Sequence, residues 1–307
     1  MLVFPAPEME MKMKKEVSQT ITGPYGIPLS VVTAGDPAAE EVVLLVHGGF
    51  QSLRCFDKQI ARFAREHYVV AVDLPYHGHS GVLPAGLLPD YSVWVESLRA
   101  VVSHLSLADR SLTILAWSFG GLVVRNYLLT YGHQRLHGLI LVASLFGGVG
   151  AYQSVARPEV TAVMTRMMDP DIPFPQRLDA FERWIGWLTA RPLPPHEAEA
   201  QYGYTLRAFV RSLSAAQHWM DERPCDDPAL FLQQMTIPTL LIQGLEDRLV
   251  PFTYTRHLAC SLPHAQLLEY EDCGHAPFLE DPEQFNRDVL RFLSLRTRSL
   301  KKGDVSS

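Results

Sequence analysis

The sequence predicts an α/β fold: a mostly parallel, doubly wound sheet interrupted by one helical insertion. Three observations predict it. Short apolar runs recur along the chain, amphipathic segments lie between them, and the rhythm breaks once, between about residues 146 and 228. The runs are "EVVLLVHG" (41–48), "YVVAVDLP" (68–75), "SLTILAWS" (111–118), "HGLILVAS" (137–144), "TLLIQGLED" (239–247) and "AQLLEYED" (265–272). Each is dense in Val, Ile and Leu and is bounded by Gly, Pro or polar residues, as strands covered on both faces require. A weaker run, "LSVVTAG" (29–35), fits an antiparallel edge strand. Amphipathic segments at 53–66, 91–107, 119–131, 252–261 and 281–295 supply the helices. Alternation of this kind implies right-handed crossovers and layers of helix on both faces of the sheet.

The break at 146–228 lacks any buried-strand pattern. It holds Met164, Met167, Met168, Phe174, Phe181, Trp184, Trp187, Tyr202, Tyr204 and Trp219 among helix formers and prolines. A helical lid is expected there. Its aromatics either line an apolar pocket or pack against the main domain, and packing accounts for at least half of them. The chain then divides into an N-terminal extension (1–27), a core (28–145 and 229–296), the lid (146–228) and a flexible tail (297–307).

Composition excludes several function classes. The 307 residues are 47% hydrophobic and 20% charged, ordinary values for a soluble globular protein. A net charge of −6 argues against nucleic acid or an acidic membrane surface as partner. The basic stretch "RTRSLKKGD" near the C-terminus reads as a solvated end. Cys55, Cys225, Cys260 and Cys273 form no CxxC pair, so neither a disulfide framework nor a zinc knuckle is expected. No stretch has the apolar length of a membrane span. The first residues, "MLVFPAPEMEMKMKKE", put acids and lysines after a short apolar segment, the reverse of a signal peptide. A reducing, cytoplasmic setting is expected, with no cofactor and no metal.

In an open parallel sheet, ligands bind beyond the carboxyl ends of the strands. "HGGF" follows the run at 41–48, Ser118 follows 111–117, Asp247 follows 239–245 and His275 follows 265–272. These strand ends supply a glycine turn, a hydroxyl, a carboxylate and an imidazole. A serine hydroxyl is a weak nucleophile that needs an adjacent base, and an imidazole needs an acid to fix its tautomer. A helix N-cap is the plainer reading of Ser118. It leaves unexplained why Asp247 and His275 arrive at matching strand ends.

With these residues in view, the chain from about 28 to 295 resembles the α/β-hydrolase superfamily. The family's nucleophile elbow reads G-x-S-x-G; here it is "AWSFG", with Ala116 in place of the first glycine. His275, in "DCGHAPFLEDP", is similar to the family's catalytic histidine, and Asp247, in "GLEDRLVP", to its acid, with neighbouring Glu246 as competitor. The resemblance implies an oxyanion hole from the backbone N–H groups of Phe119 and Gly49, with Phe50 as runner-up for the second donor. "DLPYHGHSG" resembles the family's D-x-x-G-x-G-x-S loop, which turns His77 and His79 from metal ligands into loop structure. His47 ties its loop together, Asp73 bonds its loop, and Cys273 is a small buried filler rather than a reactive thiol. The remaining histidines, His218 among them, carry no spacing signal.

"AWSFGG" and the His275 segment look nearest to bacterial carboxylesterases that demethylate acyl-carrier-protein methyl esters. The resemblance implies a serine hydrolase acting on a small-molecule ester or acyl substrate, carrier-linked or free, through an acyl-enzyme on Ser118. An acyltransferase or a carbon–carbon bond hydrolase would use the same triad. A ligand-binding protein retaining the fold is the non-enzyme alternative.

Overall fold

The structure, a computed structural model, describes residues 16–213 and 220–303, with side chains as far as residue 295. Trp219 and His218 lie outside the described residues. In chain order the strands are β1 (Val17–Thr22), β2 (Pro28–Ala34), β3 (Glu41–Val46), β4 (Tyr68–Val72), β5 (Ser111–Trp117), β6 (Leu136–Val142), β7 (Thr239–Gly244) and β8 (Ala265–Tyr270). They form one sheet in the order β1-β2-β4-β3-β5-β6-β7-β8. Every pairing from β4 to β8 is parallel; β1 with β2 and β2 with β4 are antiparallel. The central strands are as apolar as their position demands, with all five residues Val42–Val46 of β3 at 0% exposure.

The helices are α1 (Asp57–Phe63), α2 (Tyr91–His104), α3 (Phe119–Tyr131), α4 (Val149–Gln153), α5 (Pro158–Met168), α6 (Phe174–Ile185), α7 (Pro195–Ser212), α8 (Pro228–Gln233), α9 (Phe252–Ser261), α10 (Pro277–Glu280) and α11 (Pro282–Gly303). Among the described residues, no helix is long and apolar enough to cross a membrane.

Three expectations are corrected. The run at 29–35 is antiparallel but is not the edge: β1 lies outside it, paired from Val17↔Thr33 to Thr22↔Pro28. The sheet therefore begins at Val17, inside the span expected to be an extension. Only Ile21 of β1 is buried, so "VSQTIT" carries no apolar run to announce it. At the other end, α11 continues to Gly303, past the residue where a tail was expected to start.

Between β6 and β7 the chain leaves the sheet. Helices α4 to α7 fall in this insertion, and each of α5, α6 and α7 opens with proline in its first turn, where a missing N–H costs nothing. The insertion has an aromatic centre of its own: Phe181 of α6 stacks on Phe209 of α7 at 4.3 Å between ring centroids. Phe50, just beyond β3, meets that centre edge-on, 5.3 Å from Trp184 and 6.1 Å from Phe181. Polar ties add to it. Lys58 of α1 pairs with Glu197 at 2.7 Å, and Arg211 donates to the carbonyls of Gly78, at 2.8 Å, and Ser80.

Candidate active site

Ser118 occupies the turn between β5 and α3 with φ 53° and ψ −121°, a backbone conformation that L-residues rarely adopt. The turn is over-determined by its neighbours. The Ser118 N–H donates to Val142 O at 2.9 Å, and its carbonyl accepts from Gly121 N at 2.9 Å and Leu145 N at 3.1 Å. A Cβ at Gly120 would stand 2.6 Å from the His47 carbonyl oxygen, so the position admits nothing larger. Ala116, where the resemblance leads one to expect glycine, is fully buried in β5 between Val46 and Leu141. Ser118 stands at the N-cap position of α3, yet its side chain makes no capping bond.

Beyond β7 and β8 stand the acid and the imidazole. His275 Nδ1 lies 2.8 Å from Asp247 Oδ2, and both residues are 1% exposed. A carboxylate only accepts, so Nδ1 carries the proton and Nε2 is left with a lone pair. The other oxygen of Asp247 accepts from Leu249 N at 2.8 Å and Val250 N at 3.0 Å. Glu246, the competing acid, is exposed. The imidazole loop is fixed from two sides: the Trp117 indole N–H donates to the His275 carbonyl at 2.8 Å, and Gly274 N donates to Glu280 Oε1 at 2.6 Å. The second Glu280 oxygen accepts from Ala190 N at 2.8 Å and Arg191 N at 3.1 Å, tying the same loop to the insertion.

The "HGGF" turn is held by two buried histidines. His47 Nδ1 bonds the Gly48 carbonyl at 2.7 Å and His47 Nε2 accepts from Leu74 N at 3.0 Å. His77 Nδ1 bonds the Pro75 carbonyl at 2.8 Å, and His77 Nε2 accepts the Phe50 N–H at 3.1 Å. Phe50 therefore uses its donor inside the protein, and Gly49 is the candidate donor left in this turn. Burial pushes both imidazoles below their ordinary pKa, His77 the further because it faces His47 and Arg211. Asp73 Oδ1 accepts from Leu53 N at 2.7 Å and Asp73 Oδ2 from His79 N at 2.8 Å. His79 is exposed, and among the described residues no group of three His, Cys, Asp or Glu side chains is placed to hold a metal ion. Cys273 is buried, which pushes its thiol up to about 11.

Ser118 and His275 open on one narrow cleft of about 50 Å³. Gly49, Phe50 and Phe119 form its sheet side, with Leu145, Leu249 and Val250 at its flank. Met164, Met168, Trp184, Met220 and Tyr152 come from the insertion. Of the aromatic and methionine residues expected to line a pocket or pack, Met164, Met168 and Trp184 line it, whereas Met167 and Phe181 are packed out of reach. Phe174 and Tyr202 are exposed. Sequence reading missed Trp117, Glu280 and Met220, and it took His77 for loop structure without seeing that it holds the Phe50 N–H; the tryptophan beside the serine was a visible signal, but its partner lies 158 residues away.

A strained serine elbow ahead of a helix, at the carboxyl edge of a mainly parallel sheet, defines the class, and the chain belongs to the α/β-hydrolase fold family, matched over residues 41–282. It is similar to the pimeloyl-acyl-carrier-protein methyl ester esterase of Neisseria meningitidis serogroup C, at 28% identity over 251 residues, covering 81% of this chain and 92% of that protein. It is similar at the same identity, over 261 residues, to a 2-hydroxy-6-oxononadienedioate/2-hydroxy-6-oxononatrienedioate hydrolase of Burkholderia vietnamiensis, covering 82% of this chain and 87% of that one. Among solved structures, a thermophilic esterase from Thermogutta terrifontis, determined with malate bound, superposes with a TM-score of 0.74 at 25% identity, over 92% of this chain and 99% of the other.

Proposed function

We propose that this hydrolase cleaves carboxylic esters through an acyl-enzyme on Ser118, with His275 and Asp247 completing a catalytic triad. The observation that carries the reading is the His275–Asp247 pair at 2.8 Å, its imidazole opening on the same apolar cleft as Ser118. His275 Nε2 takes the Ser118 proton as Oγ attacks the ester carbonyl, and Asp247 steadies the imidazolium that forms. The oxygen of the tetrahedral intermediate receives N–H donation from Gly49 and Phe119, the latter at the positive end of α3. Collapse expels the alcohol, which takes its proton from His275. Water then repeats the sequence on the acyl-enzyme and releases the acid.

The lining favours an uncharged substrate. Among the described residues the cleft carries no Lys or Arg, and the Tyr152 hydroxyl is already donating to the Leu249 carbonyl at 3.0 Å. A dicarboxylate, as the Burkholderia relative's name describes, would bury a charge with no partner. Ester hydrolysis therefore leads, with carbon–carbon bond hydrolysis behind it. The methyl ester of a neutral acyl chain, free or carrier-linked as in the Neisseria relative's name, fits both the lining and the small leaving group. The insertion acts as the lid over this cleft, since it supplies the wall opposite the elbow.

A fluorophosphonate probe tests the reading. Labelling of the wild type that disappears in Ser118→Ala, together with turnover of p-nitrophenyl acyl esters, is expected. A folded protein that takes no label is a binding protein instead. Adding an alcohol to the assay separates hydrolysis from acyl transfer: a transferase diverts most of the acyl group to the alcohol.

A further inference from the structure

Beside the acid of the proposed triad stands a side chain with no part in that mechanism. Gln243, the penultimate residue of β7, is 0% exposed and four residues before Asp247. Its Nε2 donates to Asp247 Oδ2 at 2.9 Å and also faces the carbonyls of Gly244 and Val250, each at 3.2 Å. Its Oε1 accepts from the Thr255 hydroxyl at 2.6 Å. Thr255, on α9, is 1% exposed. These partners fix which end of the amide is which. Turned over, Oε1 would face three acceptor oxygens and the Thr255 hydroxyl would lose its acceptor.

The two oxygens of Asp247 are held in different ways. Oδ1 accepts backbone N–H groups from the turn that Asp247 itself begins, an arrangement local to residues 247–250. Oδ2, the oxygen facing His275, has the Gln243 amide as its second donor. With Oδ1 held by its two backbone donors, the Gln243 amide narrows the remaining tilt of the carboxylate and divides the charge on Oδ2 between two donors. We infer that Gln243, oriented by Thr255, is a positioning residue that aims Asp247 Oδ2 at His275 and shares the charge on that oxygen. The inference rests on the triad proposed above and deepens it.

The sign of its effect follows. Removing the amide leaves more charge on Oδ2 to stabilise the imidazolium, so His275 holds its proton to higher pH and the acid limb of the rate profile moves up. A side chain that merely filled volume would not move that limb. The experiment is the pH dependence of kcat and KM for a short p-nitrophenyl ester, in the full chain. The variants are Gln243→Met, which keeps the shape without the donor, Thr255→Val and Thr255→Ser. Wild-type labelling by fluorophosphonate and the melting temperature of every variant accompany it. Gln243→Met is expected to lower kcat about tenfold with KM within about twofold, and to raise the acid limb by about half a pH unit. Thr255→Val moves the same quantities less and in the same directions, and Thr255→Ser restores the wild-type profile. Should Gln243→Met not fold, the Thr255 pair carries the test. An acid limb that stays in place in Gln243→Met, or in Thr255→Val where that variant alone is available, overturns the inference, as does a Thr255→Ser profile no better than that of Thr255→Val. Failure of the wild type to take the label overturns the triad reading and this one together.

Discussion

The loops beyond the strands and the helical insertion over them are built by different means. Around Ser118 the supporting polar groups have named, buried partners. Asp247 has four donors, His47 and His77 each bond a carbonyl through Nδ1 and accept a backbone N–H, and Trp117 fixes the His275 loop. The insertion is organised instead by aromatic packing, with Phe181, Phe209 and Trp184 meeting Phe50. A few polar ties at its rim complete the attachment. Hydrogen bonds in a dry site specify one geometry, whereas apolar packing tolerates exchange at conserved volume. The loops are thereby suited to fixed chemistry and the insertion to adjustable specificity.

The comparison breaks most visibly at the elbow. Ser118→Ala and His275→Ala are each expected to lower kcat about 10⁴-fold or more, and the double variant to be no worse than either, because the residues act as one unit. Additive losses in steady-state assays would show that the two side chains do not share a mechanism. Wall substitutions should behave otherwise. Trp184 of α6 lines the cleft and has no role in the proposed chemistry, so the kcat of Trp184→Ala on acetyl esters is expected to stay within about tenfold. Its preference should move toward longer acyl chains, about tenfold in kcat/KM, as roughly two or three methylenes gain room. A graded series of p-nitrophenyl esters checks it; equal losses on every chain length would make Trp184 part of the chemistry rather than of specificity.

The same division governs what was legible in the sequence. Strands buried on both faces had to be written as apolar runs, so β3 to β7 were readable. β8 proves to be an edge strand with only Tyr270 buried, not a strand covered on both faces, and was readable because it still carries the half-buried pair Leu267 and Leu268. With these strands came the strand ends that carry Ser118, Asp247 and His275. β1 was not readable, because an edge strand with one buried side chain needs no such run. The resemblance put Gly49 ahead of Phe50, but the bond by which His77, 27 residues away, takes the Phe50 N–H could not be read from the sequence. Gln243 carries no motif, and its meaning lies in Thr255 and Asp247 converging on one amide. Within the insertion, composition told that aromatics would line a pocket or pack, but not which would do either, nor that Phe174 and Tyr202 would stay exposed. Met164 and Met167 lie in the same helix, yet only Met164 lines the cleft.

A moderate effect probes the loops through acid. Burial lowers the pKa of His47 and His77 from the ordinary 6.5, so in the folded protein both stay neutral where the unfolded chain takes up protons. Their contribution to stability is therefore fully present above about pH 6.5 and is lost as pH falls below it, because the unfolded state then binds more protons. The melting temperature is expected to drop by several degrees between about pH 7 and pH 5. His77→Gln removes one of the two titrating groups and should flatten that dependence, while weakening the tie to the Phe50 N–H. A slope that is identical in wild type and His77→Gln, measured by calorimetry, would assign the acid sensitivity elsewhere.

The smallest effect sharpens the contrast from the insertion's side. Lys58 and Glu197 meet at 2.7 Å, but their side chains are 41% and 18% exposed, so solvent and salt screen the pair. Lys58→Ala should cost no more than about 1 kcal/mol, a shift of about 2–4 °C in melting temperature at most. Neither residue lines the cleft that Ser118 and His275 share, so kcat on acetyl esters should not change. If the insertion opens as a lid, releasing this rim contact raises kcat/KM on bulky esters while leaving small ones alone. That gain should shrink as salt is added, because salt already weakens the pair in the wild type. Equal kcat/KM for wild type and Lys58→Ala on every ester size at low salt would mean that the insertion's attachment does not govern entry, and that its aromatic contacts with Phe50 hold it in one position throughout turnover.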